Sequence, residues 1–578
     1  MSIVKEIKQN ILDKINEILS DQGEALTYDN LSYPPDNSLG DISLALFDLS
    51  KKLKKDPKQI GDSLKNQLVS LEGIKEIKLV GPYLNFFLDE GVFVDKLIAE
   101  TIKEKDKFGA NKELKGKKIM VEFAHPNPFK AFHIGHLRNI ILGESLVRLL
   151  EFSKAKVIRT NYQGDVGMHI AKCLWAFKEV KVENYPEKND DKVALLGKCY
   201  AKGAEAFESN EQAKIEIKRI NEQIYKQKDK EIKEFWELGK KWSLDKFHEI
   251  YKRLYTRFDR EYMESEVMLE CLEYIKRAQD KGILEESEGA IIFPGEKYGL
   301  ETRVFLNSQG LPTYDGKELG LAYREFIDFG KLDLCIHNVA IEQISFFKVN
   351  FKVQELLDPD RFKGKQYHNA YEFVGLKKGK MSSRLGKVVL AEEVLKTVKE
   401  KIDGIIRDKP ENKLPQAGNY EELLEKLAIN CVKYSFLKVS PFKYLAFDIE
   451  ESVNFNGNSG LYLNYTYARI NSILEKAGKI KPIRKSSLYL NSDLEKKILW
   501  QLTKFSEVVE TARLNYNPSE IVKYLFELSQ NFNDYYHQVS ILKSEAKQKA
   551  ARIKMIKSIA QVLQNGSDLL GFYLIKEM

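Results

Sequence analysis

Three of the chain's eight histidines fall between positions 125 and 136, and two of them form His133-Ile134-Gly135-His136. The motif follows the apolar run KKIMVEFA directly and opens the helical pattern LRNIILGESLVRLLEFS. A helix N-terminus presents free N–H groups and the positive end of a dipole, so imidazoles placed there can donate hydrogen bonds to phosphate oxygens. Gly135 removes a side chain and lets an adenine lie flat on the backbone. With so few histidines, chance seldom gives the pattern His-x-Gly-His in a chain of this length, before any demand on location. A second glycine- and lysine-rich stretch, Gly375-Leu376-Lys377-Lys378-Gly379-Lys380, superficially resembles a P-loop. It is one residue short between its glycines, and Met381 stands where Ser or Thr should meet magnesium.

These residues need a scaffold, and the surrounding pattern supplies one. Buried strand, histidine loop, helix and a second strand, AKVIRTNY, make the opening of a doubly wound nucleotide-binding fold. Residues from about 190 to 260 are charged and helical, as an insertion between the halves of that fold. Strands are expected again around 290–306 and 332–339, and helix from about 390 to the end. Ahead of this lies a small separate unit, with helical stretches around YPPDNSLGDISLALFDLSKKL and strand alternation in GIKEIKLVGPYLNFFL. The expected division is 1–110, 115–390 with the helical insertion at about 185–260, a connector at 391–455, and 456–578.

At 578 residues the chain is too long for one hydrophobic core, and its 43% hydrophobic content is that of an ordinary globular protein. Its apolar runs fall short of a membrane span, and the amphipathic start MSIVKEIKQNILDKINEIL lacks a signal peptide's apolar block. The expected compartment is the cytoplasm. The five cysteines form no CxxC pair and no zinc-ligand spacing, and read as reduced buried thiols. From Phe455 onward there are 18 Lys and Arg against 11 Asp and Glu, so this stretch carries the whole net charge of +7. A basic module on a neutral body suits a polyanionic partner, and reads equally well as a solvated lysine-rich surface.

The sequence around His133 resembles the HIGH signature of class I aminoacyl-tRNA synthetases. The longer runs Val121–Asn127, Phe132–Arg138 and Asn161–Gly167 resemble their arginyl branch. Gly379-Lys380-Met381-Ser382-Ser383-Arg384 resembles the KMSKS loop of the class, with Ser383 where a second lysine is usual. The resemblance implies that Lys380 and Ser382 meet the ATP phosphates, and that Lys130, just before HIGH, replaces the missing cation. It implies an arginine pocket of Glu122 and Asn127 at the α-amino end, Tyr314 and Glu318 at the guanidinium, Glu264 beside them, and Gln343. A guanidinium is best held by buried carboxylates in bidentate pairs. Glu318 stands where the branch usually has aspartate; Asp315 is a possible substitute, though on a helix it would point elsewhere.

Gly40–Ala45 and Gly81–Leu88 resemble the N-terminal extra domain of that branch, which touches the outer corner of the tRNA. Gly460–Ile470, Phe532–His537 and the C-terminal end resemble its DALR anticodon-binding domain, with Tyr465 and Arg469 as candidate RNA contacts, although helix packing explains such aromatics equally well. The resemblance therefore implies an α/β fold: a Rossmann-type parallel-sheet catalytic domain with a helical insertion, an N-terminal α+β domain and a C-terminal all-α bundle. The implied activity is arginine–tRNA ligation, with L-arginine, ATP and tRNA(Arg) as partners, Mg²⁺ arriving with ATP rather than on a protein site, activation that needs bound tRNA, and a monomeric enzyme. The competing readings are another class I synthetase, such as the cysteinyl enzyme, and a non-catalytic RNA-binding paralogue.

Overall fold

The computed structural model describes residues 3–68, 71–377, 389–408 and 417–577. Its centre is a parallel sheet of five strands: β1 (Lys118–Glu122), β2 (Lys156–Gln163), β3 (Arg260–Met263), β4 (Leu334–Ala340) and β5 (Gln366–Tyr371). They are ordered β5-β4-β1-β2-β3. The chain runs outward through β2 and β3, then returns to the other side of β1 to lay down β4. The crevice where direction reverses lies beyond the C-terminal ends of β1 and β4, the usual ligand position in open α/β sheets. Strand register sets Glu122 opposite His337 on one side and Thr160 on the other.

Helix α1 (Ile134–Phe152) follows β1 and is buried on nearly every side. It is covered by the sheet on one flank and by C-terminal helices on another, where Ser145 Oγ donates to the carbonyl of Leu569 at 3.0 Å. The expected insertion is present as helices Asn189–Ser209, Glu211–Lys226 and Lys230–Arg253, with a core of their own around Trp236 and Trp242. After β3 come helix Met268–Asp280, a three-stranded antiparallel sheet (Glu285–Ser287, Ala290–Phe293, Arg303–Leu306), and helix α2 (Tyr314–Phe329), which leads back to the main sheet.

Three features depart from the sequence reading. The strands expected at 290–306 belong to the small antiparallel sheet, not the central one. β3 and β5 escaped notice because edge strands need little apolar alternation, and Arg-Glu-Tyr-Met and Gln-Tyr-His-Asn-Ala-Tyr show little. The region after 390 is not wholly helical, since Leu445–Phe447 pairs in parallel with Val374–Leu376.

The N-terminal unit packs helix Ile3–Leu19 and others on a four-stranded antiparallel sheet. It rests on the C-terminal helical bundle: Phe108 stacks on Phe505 at 6.3 Å, the Tyr28 hydroxyl donates to Glu507 at 2.6 Å, and Asp95 accepts from the amides of Ser486 and Ser487. In that bundle, α3 (Gly460–Ala477), α4 (Ser519–Gln538) and α5 (Ala546–Leu569) pack on one another.

Candidate active site

The loop after β1 is strained and deliberately pinned. Ala124, His125 and Phe129 all take positive φ (87°, 54° and 65°), each at a cost of about 1–3 kcal/mol for a residue with a side chain. Side chains from three elements hold them there. The Ala124 amide donates to Asn139 Oδ1 (2.7 Å), that of His125 to Asn161 Oδ1 (3.0 Å) and that of Phe129 to Ser243 Oγ (3.0 Å). Asn139 is itself locked to Asn338 on β4, and Asn338 to Asn369 on β5, in a buried asparagine ladder.

His133 caps α1. Its Nδ1 accepts from the Gly135 amide at 3.1 Å, while His136 Nδ1 accepts from the His133 amide at 3.1 Å, and the two rings stack with centroids 3.8 Å apart. Burial, joined by neighbouring positive groups, pushes both imidazoles below their ordinary pKa. Each ring is therefore neutral with Nδ1 as acceptor, which leaves the proton on Nε2 as a donor. A Cβ on Gly135 would sit 2.9 Å from the His133 ring, so only glycine permits this cap. Lys130 is exposed and lies within electrostatic reach of both imidazoles and of Glu264. Lys380 and Ser382 lie outside the described residues. The chain re-enters beside this ledge, where the Ile134 amide donates to the Val389 carbonyl (2.9 Å) and the Ala391 amide to that of Phe132 (3.0 Å).

The acids lie deeper. Glu122 ends β1, 2% exposed, with Oε1 3.5 Å from His337 Nδ1. Glu318 comes from the first turns of α2, is 5% exposed, and lies 4.0 Å from the same nitrogen. His337 Nε2 is 2.8 Å from Gln366 Oε1. Burial opposes charge on this imidazole, but the hydrogen bond and charge of Glu122, with the charge of Glu318, outweigh it and raise His337 to about 9. Burial and the Glu122 charge, partly offset by His337, push Glu318 up to about 8. Burial also opposes charge on Glu122, but His337 and His125 hold it below the ordinary carboxylate value.

Glu264 follows β3. It is 6% exposed and accepts from Lys317 Nζ at 2.7 Å. Asn127 Oδ1 accepts from the Gly164 amide at 2.7 Å, and a Cβ on Gly164 would crowd both Asn127 and Glu264, at 3.1 and 3.2 Å. Tyr314, 71% exposed, stands at the rim with Lys317 Nζ 5.5 Å from its ring centre. Gln343 is half-buried in the turn that ends β4, at the same sheet edge. Asp315 accepts from Asn350 at 2.9 Å and its charge still reaches Glu318. Glu122 Oε2, His125 Nε2, the Tyr162 hydroxyl and Glu318 Oε1 are all buried and find no hydrogen-bond partner in the protein.

The histidine ledge and the acids thus share one sheet edge, whereas Tyr465 and Arg469 lie apart in the helical bundle. There the Arg469 guanidinium is sandwiched at 4.7 Å between the rings of Tyr465 and Tyr536, bonded also to Asn533, and lines a cavity of about 690 Å³ with Lys476, His537 and Lys543. Sequence reasoning missed His337, Lys317 and the asparagine ladder. The signal was present as polar residues inside apolar strands and helices, such as Leu-Cys-Ile-His-Asn-Val-Ala in β4.

Residues 97–448 match the family model for tRNA synthetases class I (R), catalytic domain. The chain belongs to the arginyl-tRNA synthetases, the arginine–tRNA ligases of class I. In this synthetase, residues 5–88 match the arginyl-tRNA synthetase N-terminal domain and 463–578 the DALR anticodon-binding domain. It is 32% identical to the arginine–tRNA ligase of Treponema denticola, over 99% of each chain. Identity to the arginine–tRNA ligase of Borreliella afzelii is 33%, over 99% of this chain and 100% of that one. The fold is that of the Thermus thermophilus arginyl-tRNA synthetase, with a TM-score of 0.81 and 24% identity over the whole of both chains. It is also that of the Plasmodium falciparum arginyl-tRNA synthetase, with a TM-score of 0.80 and 19% identity over 100% and 99%.

Proposed function

We propose that this one cleft performs both half-reactions of an arginine–tRNA ligase, with ATP on the histidine ledge and arginine in the acid pocket. The observation that carries the reading is that His125 Nε2, the Tyr162 hydroxyl and Glu318 Oε1 lie buried and partnerless beside the Glu122 and Glu318 carboxyl groups. Such groups persist in a folded protein where a ligand satisfies them. Glu318, with Tyr314 and Glu264 beside it, takes the guanidinium. Glu122 and Asn127 take the α-ammonium end, and Gln343 closes the pocket at the β4 edge. The Nε2–H donors of His133 and His136 and the α1 N-terminus suit triphosphate, and the bare backbone at Gly135 leaves room for adenine.

In the first step the arginine carboxylate attacks the α-phosphorus of ATP, and pyrophosphate leaves with the electron pair of the broken P–O bond. Lys130, with Lys380 and Ser382 of the second loop, offsets the charge that builds on it. Magnesium would arrive on the triphosphate. In the second step the 2′-hydroxyl of the terminal tRNA adenosine attacks the carbonyl carbon and AMP leaves. The 456–578 bundle, with Tyr465 and Arg469, receives the anticodon, and 1–110 receives the tRNA corner. Residues 115–390 are the catalytic unit and 391–455 the connector. Both substrate subsites are built from one chain, which suits a monomer. A cytoplasmic setting suits five buried free thiols and a described structure with no helix long and apolar enough to cross a membrane.

A charging assay with bulk tRNA and each of the twenty amino acids tests this. Arginine alone should be esterified. Labelling with cysteine, or with nothing, contradicts the reading. Pyrophosphate exchange with and without tRNA shows whether activation waits for tRNA.

A further inference from the structure

Glu325 lies on α2 seven residues after Glu318, on the same helix face, and is wholly buried. Neither of its carboxyl oxygens meets a protein donor, and neither does Glu122 Oε2. Yet the carboxyl groups of Glu325 and Glu122 lie close enough for one to act on the other's protonation. Two carboxylates offer only acceptors to each other, so one proton between them satisfies atoms that nothing else reaches.

The surroundings decide where that proton sits. Glu122 faces His337 on β4, which is held toward its charged form, and His125 after β1, which burial holds below its ordinary value. Glu325 faces acids, namely Glu122, Glu318 and Asp328, with Tyr262 of β3 and the Cys335 thiol of β4 also within reach. Burial and those acids hold Glu325 protonated well above the ordinary carboxylate range, while His337 keeps Glu122 ionised.

We propose that Glu325 is a positioning residue of the arginine pocket: as a neutral carboxylic acid it donates a hydrogen bond to Glu122 and fixes that carboxylate for the substrate's α-ammonium. The inference rests on the assignment of Glu122 to the substrate. A carboxylate has about four lone-pair sites, so Glu122 can accept from Glu325 and His337 and still face the ligand. An ionised Glu325 would instead push a proton onto Glu122 and weaken its grip.

Glu325→Gln keeps a neutral donor of the same shape, and Glu325→Leu removes it. In pyrophosphate exchange with tRNA present, Glu325→Gln should keep the arginine KM within about threefold, whereas Glu325→Leu should raise it about tenfold or more, the scale of a lost hydrogen bond to a charged group. In both variants kcat and the KM for ATP should change little. The infrared difference between wild type and Glu325→Gln at neutral pH should show the carbonyl stretch of a protonated carboxylic acid. Absence of that band overturns the proposal, and so does equal damage from Gln and Leu, or a harmless Leu. If the Leu variant does not fold, the infrared difference decides. Glu122→Gln separates the two claims: an unchanged arginine KM there refutes the substrate role of Glu122, while the acid band still reports the shared proton.

Discussion

The histidine ledge proposed for the nucleotide and the acid pocket proposed for arginine meet at one sheet edge but are built on opposite principles. The ledge is local: two histidines, a glycine and the first turn of α1 supply its geometry, and backbone amides fix both tautomers. Its rings are neutral, so it works through oriented donors and the helix end. The pocket is non-local: Glu122, Glu264, Glu318 and His337 come from β1, the end of β3, α2 and β4; Glu122, Glu318 and His337 act on one another's charge, while Glu264 pairs with Lys317. A donor ledge suits a triphosphate that brings its own counter-ion. A coupled acid cluster suits a cation that must be told apart from neutral and shorter amino acids.

If the two halves are separable, variants should split cleanly between substrates. Glu318→Gln should lower kcat/KM for arginine by about 10³-fold, the scale of breaking a buried ion pair, and leave the KM for ATP within about twofold. His136→Ala should lower kcat of pyrophosphate exchange by about 10²-fold, the loss expected for one preorganised donor, with arginine binding measured by calorimetry unchanged. An ATP defect in the first variant, or an arginine defect in the second, would break the comparison.

The acid cluster also predicts a pH dependence that the ledge does not share. Glu318, held near 8 in the free protein, must ionise to grip a guanidinium. Arginine binding therefore releases a proton, and kcat/KM for arginine should rise by up to about tenfold per pH unit toward 8, then level off. In the free protein the folded state holds that proton more tightly than the unfolded chain. Its contribution to stability is full below about 4.5 and is lost as pH rises through about 8, and saturating arginine should offset the loss. Melting temperatures across that range, with and without arginine, check the sign. The smallest effect is expected farthest from the cleft: Arg469→Ala should raise the KM for tRNA by about fivefold, the scale of one lost stacking contact, and leave tRNA-independent binding of ATP and arginine unchanged.

The same contrast explains what was legible in the sequence. The placement of His133, Gly135 and His136 at a helix start could be read because strand, loop and helix are adjacent in the chain, and the structure keeps them there. Glu122 and Glu318 could be named from resemblance alone, since nothing local distinguishes them from surface acids. His337 went unread because its role depends on parallel pairing across more than two hundred residues, which sets it opposite Glu122. Lys317 went unread for the same reason, its partner Glu264 lying on another element. β3 and β5 were lost because short polar edge strands carry almost no periodic signal.

Citrulline, the neutral isostere of arginine, gives the most direct test of whether anionic side chains select the guanidinium. Adenylate formation should be measured for arginine and citrulline, in the presence of tRNA, with wild type and with Glu318→Gln. Wild type should prefer arginine by orders of magnitude, and the substitution should collapse that preference by depressing arginine while barely touching citrulline. A preference that survives Glu318→Gln intact would place the selection for arginine elsewhere in the molecule.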